Sequence, residues 1–289
     1  MKKDGKIFVI LAAVLWGCLP VFVRYFRDFS SMEIVFLRGF YSVILLLIYA
    51  LFKDRSVLKI RLKDLWCFLG TGIVAVLFFN FCYYESIKSV SMAVAAILLY
   101  TAPAFVMVLS ALLFKEKITG RKVTALIMSF IGCALVSGIL SGEQSIGFKG
   151  LMIGLGSGLG YALYSIFSRF ALNRGYSSVT ITFYTFLFST IGVIPFLGKK
   201  FSGRFMEGKT VLIAFLFAFF TNVLAYIFYT AGLERLENSR ASIIACIEPV
   251  TASILGFIFF SEVPDIFSVI GIILVLSSTV IVNLKGKEQ

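Results

Sequence analysis

Apolar stretches of roughly twenty residues, the length of a membrane-crossing helix, alternate along the chain with short polar joints. Charges, glycines and prolines divide it into ten spans, near 6–23, 32–52, 65–86, 91–113, 122–140, 149–169, 178–197, 209–232, 239–260 and 265–283. Lipid offers no partner to open backbone groups, so all ten are expected to be helices. The joints are short and leave no sizeable extramembrane domain and no disordered tail. The start, Met1-Lys2-Lys3 before an apolar run from Ile7, resembles a signal peptide. More spans follow at once, so it reads as a retained first span.

Composition points to the same medium. The chain has 289 residues, 60% hydrophobic and 15% charged, where a soluble domain is nearer half apolar and a quarter charged. The lipid bilayer is therefore the expected partner, and the fold class is all-α integral membrane. The net charge of +12 lies in the joints between apolar runs. It reads as topology signals and contacts to anionic headgroups, not as a nucleic-acid surface. There is no histidine, which removes the commonest metal ligand and His-based acid–base chemistry. Cys18, Cys67, Cys82, Cys133 and Cys246 all lie inside apolar runs without a CxxC pair. They read as small buried hydrophobes, and no metal or cofactor is expected.

Orientation follows from Lys and Arg. With the N terminus inside, 18 of the 27 basic residues fall on the cytoplasmic side, eight outside and Arg38 within a span. Both termini are therefore expected in the cytoplasm of a bacterial-type plasma (inner) membrane. The loop at 198–209 dissents, with four basic residues on the outer side.

An internal repeat accounts for the dissent. "AVAAILLYTAPAFVMVLSALLFKE" at 93–116 aligns with "SRASIIACIEPVTASILGFIFFSE" at 239–262, an offset of about 146. Ala95 matches Ala241, Ile97 Ile243, Pro103 Pro249, Leu109 Leu255, Phe114 Phe260 and Glu116 Glu262. Residues 1–140 and 141–289 thus read as two five-helix repeats. Five is odd, so the halves are expected to be inverted in the membrane, and loop 198–209 corresponds to the basic loop 53–63. Inverted repeats are a transporter architecture, with the substrate site near the midplane where helices are interrupted.

Pro103 and Pro249 fall near mid-span in equivalent helices and are the expected helix breaks, freeing the carbonyls of Leu99 and Ala245. Glu248 precedes Pro249 directly. At about 100° per residue, its face carries Ala241, Ile244, Ala245, Thr251, Ala252 and Leu255, while Ile243, Val250, Ile254 and Phe257 oppose it. Small and polar residues share the Glu248 side, so this carboxyl is expected to point inward, into a substrate or ion pathway. The alternative is a protonated Glu248 that only bonds a neighbouring helix.

Arg38 lies about two turns, roughly 9 Å, into span 2, at the level of Glu85 on span 3. A structural Arg38–Glu85 ion pair is expected. Trp16, Asn80, Tyr83, Tyr84, Tyr100, Tyr161, Tyr226 and Tyr229 are candidate cavity-lining, substrate-binding groups. The competing reading makes each an interfacial or core aromatic or amide. Gly154, Gly156, Gly158 and Gly160 form two overlapping GxxxG patterns, a sign of close helix packing and not of a phosphate loop. Glu116 and Glu262 read as loop anchors without a transport role.

The two stretches "YYESIKSVSMAVAAILLYTAPAFVMVLSALLFKEKIT" (83–119) and "YTAGLERLENSRASIIACIEPVTASILGFIFFSEVPD" (229–265) resemble the EamA-type repeats of the drug/metabolite transporter superfamily. The resemblance covers essentially the whole chain. It implies ten helices in inverted five-helix repeats and a central cavity lined mainly by spans 1, 3, 4, 6, 8 and 9. It also implies alternating-access transport, often export, of amino acids, nucleosides or organic cations. The first repeat departs from the pattern with Ala102 before Pro103, so any proton or cation role would be asymmetric. A small-molecule substrate and protons are the candidate partners, no nucleic acid is expected, and monomer and homodimer both stay open. The competing class is a membrane-embedded enzyme acting on a lipid-linked substrate. Such an enzyme would be expected to show acidic or basic clusters at loop ends, and no DxxD-type cluster is present. A passive channel, the third class, would more naturally show a repeated polar stripe.

Overall fold

The computed structural model describes residues 4–139, 147–197 and 208–284. The chain ends and most of the basic loop 198–209, on which the orientation reading leans, lie outside the described residues. The first repeat runs α1 (Asp4–Gly17), α2 (Leu19–Val23), α3 (Ser31–Phe52), α4 (Leu65–Leu69), α5 (Phe78–Ser89), α6 (Met92–Leu99), α7 (Ala102–Phe114) and α8 (Gly120–Val136). The second runs α9 (Phe148–Leu172), α10 (Ser178–Val193), α11 (Gly208–Phe217), α12 (Ala225–Arg235), α13 (Asn238–Ala245), α14 (Ile247–Phe260) and α15 (Ile266–Asn283). Among the described residues, nine helical runs of at least 18 residues are apolar enough to cross a bilayer. The expected fifth span, 122–140, is represented by α8, which has 17 residues.

Local chemistry sets the helix starts. Ser30 caps α3 with a capping box: its Oγ accepts from Glu33 N at 3.3 Å, and Glu33 Oε2 accepts from Ser30 N at 2.6 Å. This satisfies two end amides that have no intrahelical acceptor. Ser177 caps α10 in the same place, its Oγ accepting from Thr180 N at 3.1 Å. One difference between the repeats has a local cause. Pro20 lies just past Cys18, where the helix stops at Gly17 and restarts as α2. In α9 no proline intervenes, and 25 residues run unbroken, because every backbone N–H is available to the ladder.

The repeats agree in finer detail. Gly70–Leu77 joins α4 to α5, and Ala218–Leu224 joins α11 to α12, each as a π-helical stretch. α6 stops before Tyr100–Thr101 and α13 before Cys246, two to three residues ahead of the prolines. α7 ends in a left-handed residue, Lys115 (φ 57°), and α14 in Ser261 (φ 57°). The next amide then bonds back into the helix: Glu116 N to the Ser110 carbonyl at 3.2 Å, and Glu262 N to the Gly256 carbonyl at 3.3 Å.

Glycine sets how closely helices approach. α8 lies along α15 and crosses it at Gly132 and Gly271. A Cβ on Gly132 would stand 2.8 Å from the Gly271 carbonyl oxygen. On α9, a Cβ on Gly160 would stand 2.9 Å from the Phe79 backbone of α5, while Gly154 and Gly158 face Leu98 of α6 and Thr101. Small residues let these backbones meet where larger ones would hold them apart. Ile254 and Phe257 are exposed on the far side of α14 from Glu248, as a lipid-facing surface requires, whereas Ile243 and Val250, expected on the same side, are buried.

Candidate functional site

A cavity of about 170 Å³ lies inside the bundle, at the level of the two helix breaks. Its wall holds Trp16 of α1, Arg38 of α3, Asn80, Tyr83 and Tyr84 of α5, and Tyr100 beside the first break. Tyr161 of α9, Ser189 of α10, Asn222 before α12, Tyr226 and Glu248 complete the polar lining. A wider hollow of about 510 Å³ shares Pro20, Tyr100 and Ala252 with it and reaches Glu262 and Asp265. The cavity is thus approached from the face opposite the one where α1 begins and α15 ends.

The helix break explains why Glu248 and Pro249 are neighbours. The chain restarts at Ile247, so Glu248 sits in the first turn of the 14-residue α14. The amides of a first turn have no intrahelical acceptor, and the helix dipole places partial positive charge there. A carboxylate at mid-depth is favoured at such an end. Its side chain accepts from Tyr161 Oη at 3.2 Å. Tyr161 in turn packs edge-on against Trp16, with centroids 5.9 Å apart.

Arg38 departs from expectation. Its Nε and Nη2 donate to Asn222 Oδ1 at 3.1 and 2.5 Å, and its guanidinium lies 4.8 Å from the Phe217 ring centroid. Glu85 pairs with Lys88 at 2.6 Å on the exposed end of α5. The expected Arg38–Glu85 pair is therefore replaced by an Arg38–Asn222 contact and a local i,i+3 pair. The reason is direction: a carboxylate near the end of a helix reaches a lysine one turn away more readily than a buried group deeper in the bundle. Among the described residues neither Arg38 nor Glu248 has an ion-pair partner. The cavity therefore holds one cation and one carboxyl, from different repeats, with the charges not spent on each other.

Eight of the nine named candidates line this cavity. Tyr229 does not: it is buried below, in a small hollow bounded by Trp16, Tyr164 and Tyr226. Its hydroxyl bonds Ser165 Oγ at 2.8 Å, and Tyr164 bonds Thr230 Oγ1 at 2.7 Å. These pairs, with Trp16 packed on Tyr226 and Tyr229 at 5.3 and 5.1 Å, form a floor under the cavity. Asn80 lines the wall while its amide donates to the Val76 carbonyl at 2.7 Å. Pro103 lies away from the cavity, and Pro249 borders the wider hollow. Sequence reasoning missed Asn222. The signal was present, since an amide within the apolar run 211–228 is the kind of intramembrane polar group that marks a pathway.

Comparison with known proteins agrees with this geometry. The model of the EamA-like transporter family matches twice, over residues 4–138 and 148–284. An uncharacterized transporter of Archaeoglobus fulgidus is 28% identical over 290 residues, covering 96% of both chains. The uncharacterized inner membrane transporter YicL of Salmonella typhimurium is 24% identical, over 99% of this chain and 97% of its own. The uncharacterized transporter YxxF of Bacillus subtilis is 26% identical, over 100% and 93%. A solved crystal structure superposes with a TM-score of 0.83 at 17% identity, over 98% of this chain and 97% of that one, a likeness of fold. With two repeats, a mid-bundle cavity at the helix breaks and a family match across nearly the whole chain, this multi-pass membrane protein belongs to the EamA-like transporter family.

Proposed function

We propose that the chain is a secondary transporter, an exporter of small metabolites, that works by alternating access through the central cavity. It would sit in the plasma membrane with both termini in the cytoplasm. Of the amino acids, nucleosides and organic cations considered from sequence, an amino-acid-like zwitterion fits the cavity best. The observation that carries this is the pair of unspent charges, Arg38 and Glu248, in one cavity. A substrate carboxylate would take the guanidinium fork of Arg38, and an ammonium the Glu248 carboxylate. An apolar body would lie among Trp16, Tyr83 and Tyr161. Glu248 is also the group that would exchange a proton for the ammonium and so couple export to a proton gradient.

Uptake of labelled amino acids into proteoliposomes, with and without a pH gradient, tests the reading. Zwitterions should accumulate against their gradient. Arg38→Gln and Glu248→Gln should each cut the rate at least tenfold, and Glu248→Gln should flatten its pH dependence. Faster movement of monoamines or monocarboxylates than of zwitterions would count against the substrate class. Parental rates for Glu248→Gln at every pH would return Glu248 to a helix-packing role.

A further inference from the structure

The two ends of the cavity are closed by equivalent residues in unequal ways. On the face where α1 begins, the Glu116 carboxylate of the first repeat docks on the start of α13 in the second. It accepts from Asn238 N at 2.7 Å, Ser239 N at 3.2 Å and Ser239 Oγ at 2.6 Å. Glu237, the residue before α13, gives that helix no side-chain cap of its own, so Glu116 supplies the cap from across the repeat boundary. The contact is reinforced. Asn238 Nδ2 donates to Ser110 Oγ at 3.2 Å, Arg169 Nε donates to Asn238 Oδ1 at 2.8 Å, and Arg169 also bonds the Leu236 carbonyl. Lys122 is buried beside it, 3.9 Å from Glu116 and 3.2 Å from Glu237. The assembly lies over the floor formed by Tyr229, Ser165, Tyr164 and Thr230.

At the opposite face only the carboxylate and the arginine recur, and α6 has a cap of its own, Ser91 Oγ accepting from Val94 N at 3.3 Å, which leaves the Met92 and Ala93 amides open. Glu262 follows the same left-handed ending as Glu116, at the same offset. By that offset its target would be the first amides of α6, at Met92 and Ala93, the counterparts of Asn238 and Ser239. Glu262 instead pairs with Arg24, the counterpart of Arg169. The Glu262 side chain is 55% exposed against 10% for Glu116, and Met92 is itself exposed. The wider hollow opens on this side, next to Glu262. Helix breaks near 100 and 246 give α6 and α13 the freedom to move apart from α7 and α14.

We propose that Glu116 and Glu262 are alternating latches, each capping the short half-helix of the other repeat to close one face of the cavity. In this structure the Glu116 latch is shut and the Glu262 latch is open. In the reverse state Glu262 would cap α6 at Met92 and Ala93, and Glu116 would leave α13. Each residue positions helices and does not touch substrate. A closed latch gathers charge-assisted hydrogen bonds in a site shielded from water, and both cannot close at once without sealing the cavity. The proposal rests on the transporter reading, but the labelling arm of its test needs no substrate.

Single reporter cysteines are placed at Ala252, which lines the cavity and its mouth, and at Ala241, buried one turn inside the Glu116 latch. The background has the five native cysteines replaced and keeps the parental melting temperature. Labelling by an impermeant thiol reagent is followed in nanodiscs, where both faces meet solvent. Glu116→Ala should raise labelling at 241 by about tenfold, equal to about 1.4 kcal/mol, and lower it at 252. Glu262→Ala should do the reverse. Equal shifts for both variants, or none, overturn the proposal. Simple unfolding would raise labelling at both reporters, so a second variant guards against it. Ser110→Cys with Asn238→Cys, whose side chains now meet at 3.2 Å, should give an oxidised form that labels at 252 and does not transport until reduced. An oxidised form that still transports sinks the latch. If the latch behaves as expected while no metabolite moves, the fault lies with the transport reading instead.

Discussion

At the helix break the first repeat carries Ala102 before Pro103, and the second carries Glu248 before Pro249. The backbones match there, and the surroundings do not. Ala102 is packed with Val106 and Ala162, 1% exposed, whereas Glu248 opens on the cavity. Arg38 shows the converse. By the same offset its counterpart is Tyr184, whose hydroxyl donates to the Leu58 carbonyl at 2.8 Å, outside the cavity. Apart from Pro20, the prolines and left-handed endings that break and end helices recur in both repeats, and the charges that would meet a ligand occur once each. Duplication supplies a scaffold with matching helix breaks, while an asymmetric ligand requires an asymmetric lining.

Moving the carboxylate is the strongest test of that division. Ala102→Glu with Glu248→Ala transfers the charge to the equivalent position of the first repeat. If the repeats were chemically interchangeable, transport would survive. We expect none, together with a clear fall in apparent melting temperature. An unpaired charge at the middle of a span costs about 2.5–3.5 kcal/mol on insertion scales, and the Ala102 site is apolar and filled. Glu248→Ala alone should lose transport while keeping most of its thermal stability. A double variant that folds and transports would show that the break, and not its surroundings, sets the function.

A smaller effect is expected where the repeats do agree. Gly132 and Gly271 meet at the α8–α15 crossing, and each leaves no room for a side chain on the other. Gly132→Leu and Gly271→Leu should destabilise by similar amounts, about 1–3 kcal/mol as for other overpacked interfaces. Gly120, with nothing near its would-be Cβ, should accept Ala without loss. Apparent melting temperatures in one detergent would compare the three. A neutral Gly132→Leu would mean that the crossing is looser than its backbone geometry.

What could be read from sequence divides along the same line. The spans, the repeat and the breaks ahead of Pro103 and Pro249 were legible because they rest on apolar run length and on proline, which act locally, whereas the break at Pro20 was passed over. The inward face of Glu248 followed from helical periodicity. The partner of Arg38 was not legible. Depth alone suggested Glu85, but Asn222 comes to Arg38 from 184 residues away, and no local rule fixes which of several polar groups at one depth will meet. Glu116 was legible as a repeated residue and as an anchor, and the structure has it anchoring Asn238 and Ser239. Its target, the uncapped start of α13, becomes visible only when the repeats are packed together. Tyr229 followed the aromatic pattern of the cavity yet lies beneath it, because a tyrosine on the inner face of a helix can serve a wall or a floor.

The smallest contrast lies in the caps of the last helix of each repeat. Thr119 caps α8, its Oγ1 accepting from Lys122 N at 3.4 Å. At the equivalent place Asp265 caps α15, its Oδ1 accepting from Ser268 N at 2.7 Å. The hydrogen bonds from Ser268 hold the Asp265 carboxyl below its ordinary value, whereas a threonine hydroxyl does not titrate in this range. A group whose value is lowered by folding stabilises the fold above its unfolded value, about 4 for aspartate, and loses that contribution as pH falls through the lowered one. The destabilisation by Asp265→Ala, measured as a difference in melting temperature from the parent, should therefore be full at neutral pH and shrink below about pH 4. The corresponding difference for Thr119→Ala should stay level across the same series. Asp265→Asn separates charge from geometry, since it keeps a cap that accepts from Ser268 and cannot ionise. Its difference from the parent should be small and should vanish in acid. If Asp265→Ala costs as much in acid as at neutral pH, the cap works through shape alone, and the two repeats cap their last helices by the same means after all.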